Sequence, residues 1–222
     1  MRRGDDIGMS GQVTRWWWVR HAPVVEHGGK IYGQSDIDCD VSHTPSFEGL
    51  AGKIPQGAVW VTSNLRRTID TANAILKAGG PAPANPDTPL VEPDFAEQSF
   101  GDWQEHSWDD LHAAGTPEYK AFWENPGHNA APNGESFADL ITRTGKAIER
   151  INGEFQGRDI VAVTHGGTIR AAVALALQAE PIMALAVKID NLTLTRLDHV
   201  AERLFKGQGG VWRVAGINLP PV

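Results

Sequence analysis

The chain has a single cysteine, Cys39, in 222 residues. No disulfide can close within it, and no four-cysteine zinc site can form. Positive charge is also short. Twenty Lys and Arg face 27 Asp and Glu, giving a formal net charge of −7 and a sequence pI of about 5.6. A nucleic-acid binder would usually carry a basic stripe, so that class is set aside. A small anion is not excluded, because a local Arg/His cluster can overcome a weak global field. Long apolar runs are missing too: none approaches the ~20 residues of a membrane-spanning helix. The segment at 1–13 is polar and Gly-rich, has no apolar signal core, and reads as a flexible tail. A cytoplasmic location is the expectation.

Apolar residues are not short. They make up 41% of the chain against 21% charged residues, enough for a core and too many for a disordered chain. Residues 14–222 read as one domain. The stretch Trp16-Trp17-Trp18-Val19-Arg20-His21-Ala22-Pro23 is an apolar run ending on an Arg-His pair, then a Pro. Such a run predicts a buried strand over 14–20, with the three Trp serving as core packing. Arg20 and His21 then sit at its C-terminal end, the edge of an open α/β sheet where ligands bind.

Further strands are predicted at 58–61, 90–91 and 160–163, with closing strands at 187–189, 192–197 and 211–214 and a hairpin around Asp190-Asn191. Helices are predicted at 45–53, at 65–76 with Ser63-Asn64 as cap, at 136–151 with Ser136 and Asp139 marking its start, and at 168–178. The stretch 23–44 reads as a long functional loop. Residues 94–134, irregular and aromatic, read as a small helical subdomain over the sheet edge, a lid-like insertion. Strands alternating with helices give the expected fold class: α/β, a three-layer α/β/α sandwich around a mostly parallel sheet.

Three strand ends then bring polar residues to one edge. The first supplies Arg20 and His21, the second an arginine from Ser63-Asn64-Leu65-Arg66-Arg67-Thr68, and the third His165 with Gly166 and Gly167. Phosphoryl transfer needs dense positive charge at fixed positions. Two guanidinium groups match phosphoryl oxygens bidentately, and the Gly pair lets a helix N-terminus approach the same anion. A histidine nucleophile needs one bare ring nitrogen and a fixed tautomer. Its leaving group needs a nearby carboxylic acid.

These residues carry a resemblance. Arg20-His21-Ala22, the 63–72 segment with Thr71-Ala72, Glu97-Gln98-Ser99-Phe100-Gly101-Asp102-Trp103 and Thr164-His165-Gly166-Gly167 resemble, in order, the signatures of the histidine phosphatase superfamily, phosphoglycerate mutase-like branch. Asn133-Gly134-Glu135-Ser136 resembles another recurring segment of that family. The resemblance implies a phosphorylated His21, phosphate binding by Arg20, Arg67, His165 and Gly166, and Glu97 as proton donor and later base, with Glu92 and Glu105 as nearby rivals. It also implies substrate contacts from Tyr32, Gly33 and Gln34. No metal or cofactor is implied. The expected partner is a small phosphorylated metabolite, with no nucleic acid or membrane involved and a homodimer left open.

The chain departs from the family pattern at Ala22, where Gly is usual, and at Pro23-Val24, where a polar pair is usual. Asp36, Asp38 and Asp40 alternate like a calcium loop, but Val41 and Phe47 stand where Gly and Glu would be needed. His43, His106, His112 and His128 show no ligand spacing. The stretch between Glu97 and His165 is short beside that of the cofactor-dependent mutases, which resemble this chain but carry a longer insertion, so the resemblance favours a phosphatase. The chain length and the Tyr32-to-Asp36 segment look similar to α-ribazole phosphatases. The alternatives are a cofactor-dependent phosphoglycerate mutase and, from another class, a catalytically silent phosphate-binding regulatory module.

Overall fold

The computed structural model describes residues 12–25, 28–85, 89–201, 204 and 210–222. Most of the expected tail, residues 1–11, lies outside them. Six strands form one sheet: β1 (Val13–Arg20), β2 (Val59–Thr62), β3 (Leu90–Val91), β4 (Asp159–Thr164), β5 (Leu194–Val200) and β6 (Trp212–Leu219). Their order is β3-β2-β4-β1-β5-β6. The first four run parallel, while β5 lies antiparallel to both β1 and β6. The seven helices found among the described residues are α1 (Thr44–Lys53), α2 (Arg66–Lys77), α3 (Trp108–Ala114), α4 (Pro117–Glu124), α5 (Phe137–Glu154), α6 (Gly166–Leu177) and α7 (Pro181–Leu185). None is long and apolar enough to cross a membrane.

Alternation along β1 sorts its side chains between two cores. Trp16 and Trp18 stack at 4.9 Å and meet Phe95 edge-on. They join Ile160 and Ala162 of β4 under α5 and α6, through Ala147, Ile148, Ile151, Ile169 and Val173. Val19 points the other way and joins Val161 and Val163 under α1 and α2, through Phe47, Leu50, Ala72 and Ile75. Helices therefore cover both faces of a mixed, mainly parallel sheet, as expected. The capping box at Ser136 and Asp139 starts α5, which runs three residues beyond its expected end.

Several expectations are corrected. Residues 187–189 are not a strand: the carbonyls of Val187 and Ile189 accept from the side chains of Arg170 and Arg20, so they are not available to a ladder. The short helix α7 precedes them. No hairpin forms around Asp190-Asn191; the hairpin is β5–β6. The β6 strand runs to Leu219, five residues past its expected end. The segment 94–134 does form the small helical unit expected of it, with two 3-10 turns, α3 and α4. Ser63 does not cap α2 itself: its Oγ accepts the N–H of the N-cap residue Leu65 at 3.2 Å, and the first helical N–H, that of Arg66, goes to Asp36 Oδ1 at 2.8 Å. The helix expected from Thr168 begins at Gly166, with His165 at its N-cap.

Candidate active site

The site follows from the register of three adjacent strands. Arg20 pairs with Thr164, and Thr62 with Val163. The residues that follow each strand, Ser63, His165 and His21, therefore emerge side by side at one sheet edge. The His21 N–H donates to Thr164 O at 2.9 Å, the two imidazoles lie 5.2 Å apart, and both are fully buried.

The His21 tautomer is fixed by its own backbone. Nδ1 lies 2.7 Å from Ala22 O, a carbonyl that can only accept, so Nδ1 carries the proton and Nε2 keeps its lone pair. Nε2 is buried and has no hydrogen-bond partner among the described residues. Burial, reinforced by Arg67 and Arg20, brings the His21 pKa from 6.5 down to about 3, so the ring is neutral near pH 7. Asn191 braces the same residue by donating to His21 O at 2.8 Å. The Ala22 N–H donates to Thr71 Oγ1 at 2.9 Å.

Arg67 is buried with full side-chain coverage. Its Nε donates to His165 Nδ1 at 3.2 Å, and its two terminal nitrogens donate to Ser35 O at 2.8 Å and Gly33 O at 2.7 Å. It also lies over the Tyr32 ring at 5.1 Å, a cation–π contact that offsets part of the cost of burying the charge. Two of its five N–H groups remain for a ligand. Arg20 is freer: Nη1 donates to Ile189 O at 2.6 Å, and its buried Nε has no partner among the described residues.

Both ring nitrogens of His165 have protein partners. Nδ1 accepts from Arg67, so Nε2–H donates to Ser63 Oγ at 2.8 Å. Burial and Arg67 hold its pKa well below the usual histidine range. To donate to a phosphoryl oxygen it must exchange one of these partners. Ser63, expected to cap a helix, instead fixes this tautomer.

Glu97 reaches the same edge from the other side. Its carboxylate accepts the Gly167 N–H, at 3.0 Å to Oε1 and 3.3 Å to Oε2, and the Gln98 N–H at 3.0 Å. Its charge acts on both Arg67 and Arg170. The rivals stand elsewhere: Glu92 pairs with Arg150 at 2.5 Å, and Glu105 is exposed. Gly167 leaves room for the carboxylate, because a Cβ there would stand 2.2 Å from Glu97 Oε1. At Gly166 a Cβ would meet Arg20 only at an ordinary 3.5 Å.

The expected substrate contacts divide. Tyr32 lies 6.4 Å from the His21 ring, centroid to centroid. Gly33 offers its carbonyl to Arg67, and exposed Gln34 donates to Glu97 O at 2.8 Å. Arg170 was not singled out from the sequence. Its Nε holds Val187 O at 2.7 Å, and a Cβ on Gly166 would lie 3.6 Å from its Nη1, beside Arg20. His43, His106, His112 and His128 are exposed. Among the described residues no group of three or more His, Cys, Asp or Glu could hold a metal ion.

Known proteins resemble this chain in sequence and in fold. A metal-independent phosphoserine phosphatase of Arabidopsis thaliana is 29% identical over 172 residues, covering 75% of this chain and 70% of that protein. A phosphoglycerate mutase-like protein 4 from the same plant is 28% identical over 204 residues, covering 87% and 83%. The crystal structure of the α-ribazole phosphatase from Shigella flexneri superposes with a TM-score of 0.74 at 19% identity, covering 92% of this chain and 96% of that one. The family model of the histidine phosphatase superfamily (branch 1) matches residues 16–206, and the chain belongs to that family.

Proposed function

We propose that this protein hydrolyses a small phosphomonoester without a metal ion, through a phosphohistidine on His21. The reading rests above all on the His21 ring: Nδ1–H tied to Ala22 O, and Nε2 bare, buried and faced by cationic side chains. The Nε2 lone pair attacks phosphorus. The bond from phosphorus to the ester oxygen breaks, and its electron pair leaves with that oxygen, which takes a proton from Glu97. Arg20 and Arg67 stabilise the charge on the transferring group's oxygens. In the second half Glu97 accepts a proton from water, which attacks phosphorus, and the N–P bond breaks with its pair returning to Nε2. Inorganic phosphate is released and Glu97 ends protonated.

The 94–134 segment carries Glu97 at one end and is proposed to form the lid side of the pocket. Substrate contacts are assigned to Tyr32, Gly33 and Gln34, and further phosphate contacts to His165 and the Gly166 N–H in the first turn of α6. The Tyr32-to-Asp36 likeness makes an α-ribazole-type phosphate the first member of a substrate panel.

The test is hydrolysis of p-nitrophenyl phosphate from pH 5 to 8 with EDTA present, wild type beside His21→Ala. Activity that survives EDTA and vanishes in the variant is expected. Activity that needs a metal or persists in His21→Ala overturns the reading. The mutase-like relative makes exchange between 2- and 3-phosphoglycerate the companion assay, and exchange outpacing hydrolysis would favour a mutase.

A further inference from the structure

The motif Asn133-Gly134-Glu135-Ser136 has no part in the chemistry above, yet it is packed against Gln98 and Ser99, which directly follow the residue that moves the proton. We infer that Glu135 and Arg143 form a positioning pair that sets Glu97 in place for proton transfer; this rests on the reading of Glu97 as proton donor.

Arg143 projects from α5 and grips the Glu97 segment at two points. Nη1 donates to Asp94 O at 2.6 Å and Nη2 to Glu97 O at 2.9 Å. Glu135 aims this grip. Its Oε2 accepts from Arg143 Nε at 2.9 Å and its Oε1 from Nη2 at 2.7 Å. This fork-on-fork pair fixes both the plane and the direction of the guanidinium. The pair is largely sheltered, with side-chain exposures of 20% and 18%. Four of the five Arg143 N–H groups are engaged within the protein, so this arginine serves as a brace and not as a ligand for substrate.

Glu135 also holds the segment directly. Its Oε1 accepts the Ser99 N–H at 2.8 Å, and its backbone carbonyl accepts from Gln98 Nε2 at 3.0 Å. The two loops touch so closely that a Cβ on Gly134 would stand 2.7 Å from Ser99 O. The Glu97 carbonyl has a second donor, Gln34 Nε2 at 2.8 Å. Both of its lone pairs are therefore used, one by the sheltered Arg143 and one by the exposed substrate loop. Among the described residues the hydrogen bonds to the Glu97 carboxylate come from two backbone N–H groups, so its placement depends on where the backbone is pinned. Small displacements of a proton-transfer group carry large rate penalties.

The consequence is selective. An acidic leaving group departs without help, whereas a basic one needs the proton. The experiment compares kcat/KM for p-nitrophenyl phosphate and for unsubstituted phenyl phosphate, and reads their ratio in wild type, Arg143→Met, Glu135→Gln, Glu97→Gln and the double variant Arg143→Met/Glu97→Gln. Thermal unfolding and circular dichroism report folding. Glu97→Gln is expected to raise the ratio about tenfold or more, and Arg143→Met to raise it several-fold, in line with the weight of general acid catalysis. In the Glu97→Gln background Arg143→Met should raise it no further. Glu135→Gln, which keeps its shape and loses the charge pairing, should move the ratio in the same direction by less, and it carries the test if Arg143→Met does not fold. A uniform fall on both esters, or a further rise in the double variant, overturns the inference and leaves Glu97 as donor. An unchanged ratio in Glu97→Gln overturns the donor reading and the inference with it, as does a wild type that hydrolyses neither ester.

Discussion

Glu97 and Gly167 are fitted to each other: the carboxylate takes the Gly167 N–H at 3.0 Å, and the place where a Gly167 Cβ would stand lies 2.2 Å from the same oxygen. A methyl group there must displace the carboxylate, while the rest of α6 has no reason to move. Gly167→Ala should therefore lower kcat/KM on phenyl phosphate by about 10- to 100-fold, part of the roughly 10²–10⁴-fold that a positioned general acid contributes. Its circular dichroism spectrum should match the wild type. Steady-state kinetics beside an unfolding curve checks this, and wild-type rates in Gly167→Ala would show that the carboxylate position is not critical.

Adjacent arginines should differ sharply. Arg67 is buried across the sheet edge and bonds to His165, whereas Arg66 is 61% exposed and pairs with Asp38 at 3.1 Å. Charge-assisted bonds to an oxyanion contribute about 1.5–3 kcal/mol each, so Arg67→Ala should weaken vanadate binding by roughly 10- to 100-fold. Surface ion pairs contribute about 0–1 kcal/mol, so Arg66→Ala should stay within about fivefold of wild type. Inhibition constants for vanadate decide it; equal effects would mean the phosphate arginine is wrongly assigned.

The pH dependence follows from the buried histidines. His21 has its pKa lowered from 6.5 to about 3, and His165 is lowered in the same direction. The unfolded chain takes up these protons near pH 6.5 and the folded one does not. The stability that the neutral rings contribute is complete above pH 6.5 and is lost as pH falls from there toward 3. For His21 alone the loss reaches about 5 kcal/mol at the bottom of that window. Urea unfolding of His21→Asn from pH 7 to 4 should show a flatter decline than wild type. For the same reason kcat/KM should show no limb near pH 6.5 from His21; a limb there that coincides with titration of the His21 ring followed by NMR would contradict the neutral-ring account.

Ser63 takes the Nε2–H of His165 at 2.8 Å in a fully buried pocket. Ser63→Ala leaves that donor unsatisfied, a cost of about 1–3 kcal/mol, and frees the ring to turn from Arg67. Lower stability and weaker phosphate binding should appear together, by denaturant titration and by phosphate inhibition. Unchanged phosphate inhibition would show that the His165 orientation does not depend on Ser63.

Much of this site can be read along the chain, because its polar residues follow directly on apolar runs. Val59–Thr62 and Asp159–Thr164 are short buried strands, and what comes after such a strand emerges at the sheet edge. The helical spacing of Leu140, Ala147, Ile148 and Ile151 likewise marks α5. What escapes a linear reading acts through distant partners. Residues 187–189 look like a strand by composition, yet their carbonyls hold Arg170 and Arg20. Ser63 has the composition of a cap and takes a histidine instead. Arg143, Asn191 and Arg170 sit among ordinary surface and helix residues, and their roles appear only when the carbonyls of Glu97, His21 and Val187 are brought to them.

The central claim is a covalent phosphoryl group on His21, and trapping it tests that claim most directly. The enzyme is mixed with substrate, quenched in alkali within milliseconds to preserve a phosphohistidine, digested, and analysed by mass spectrometry. One phosphoryl group on the peptide carrying His21, formed and lost at rates that match turnover and absent in His21→Ala, is the predicted result. Turnover with no phosphoryl group on His21, or with the group on another residue, would contradict it.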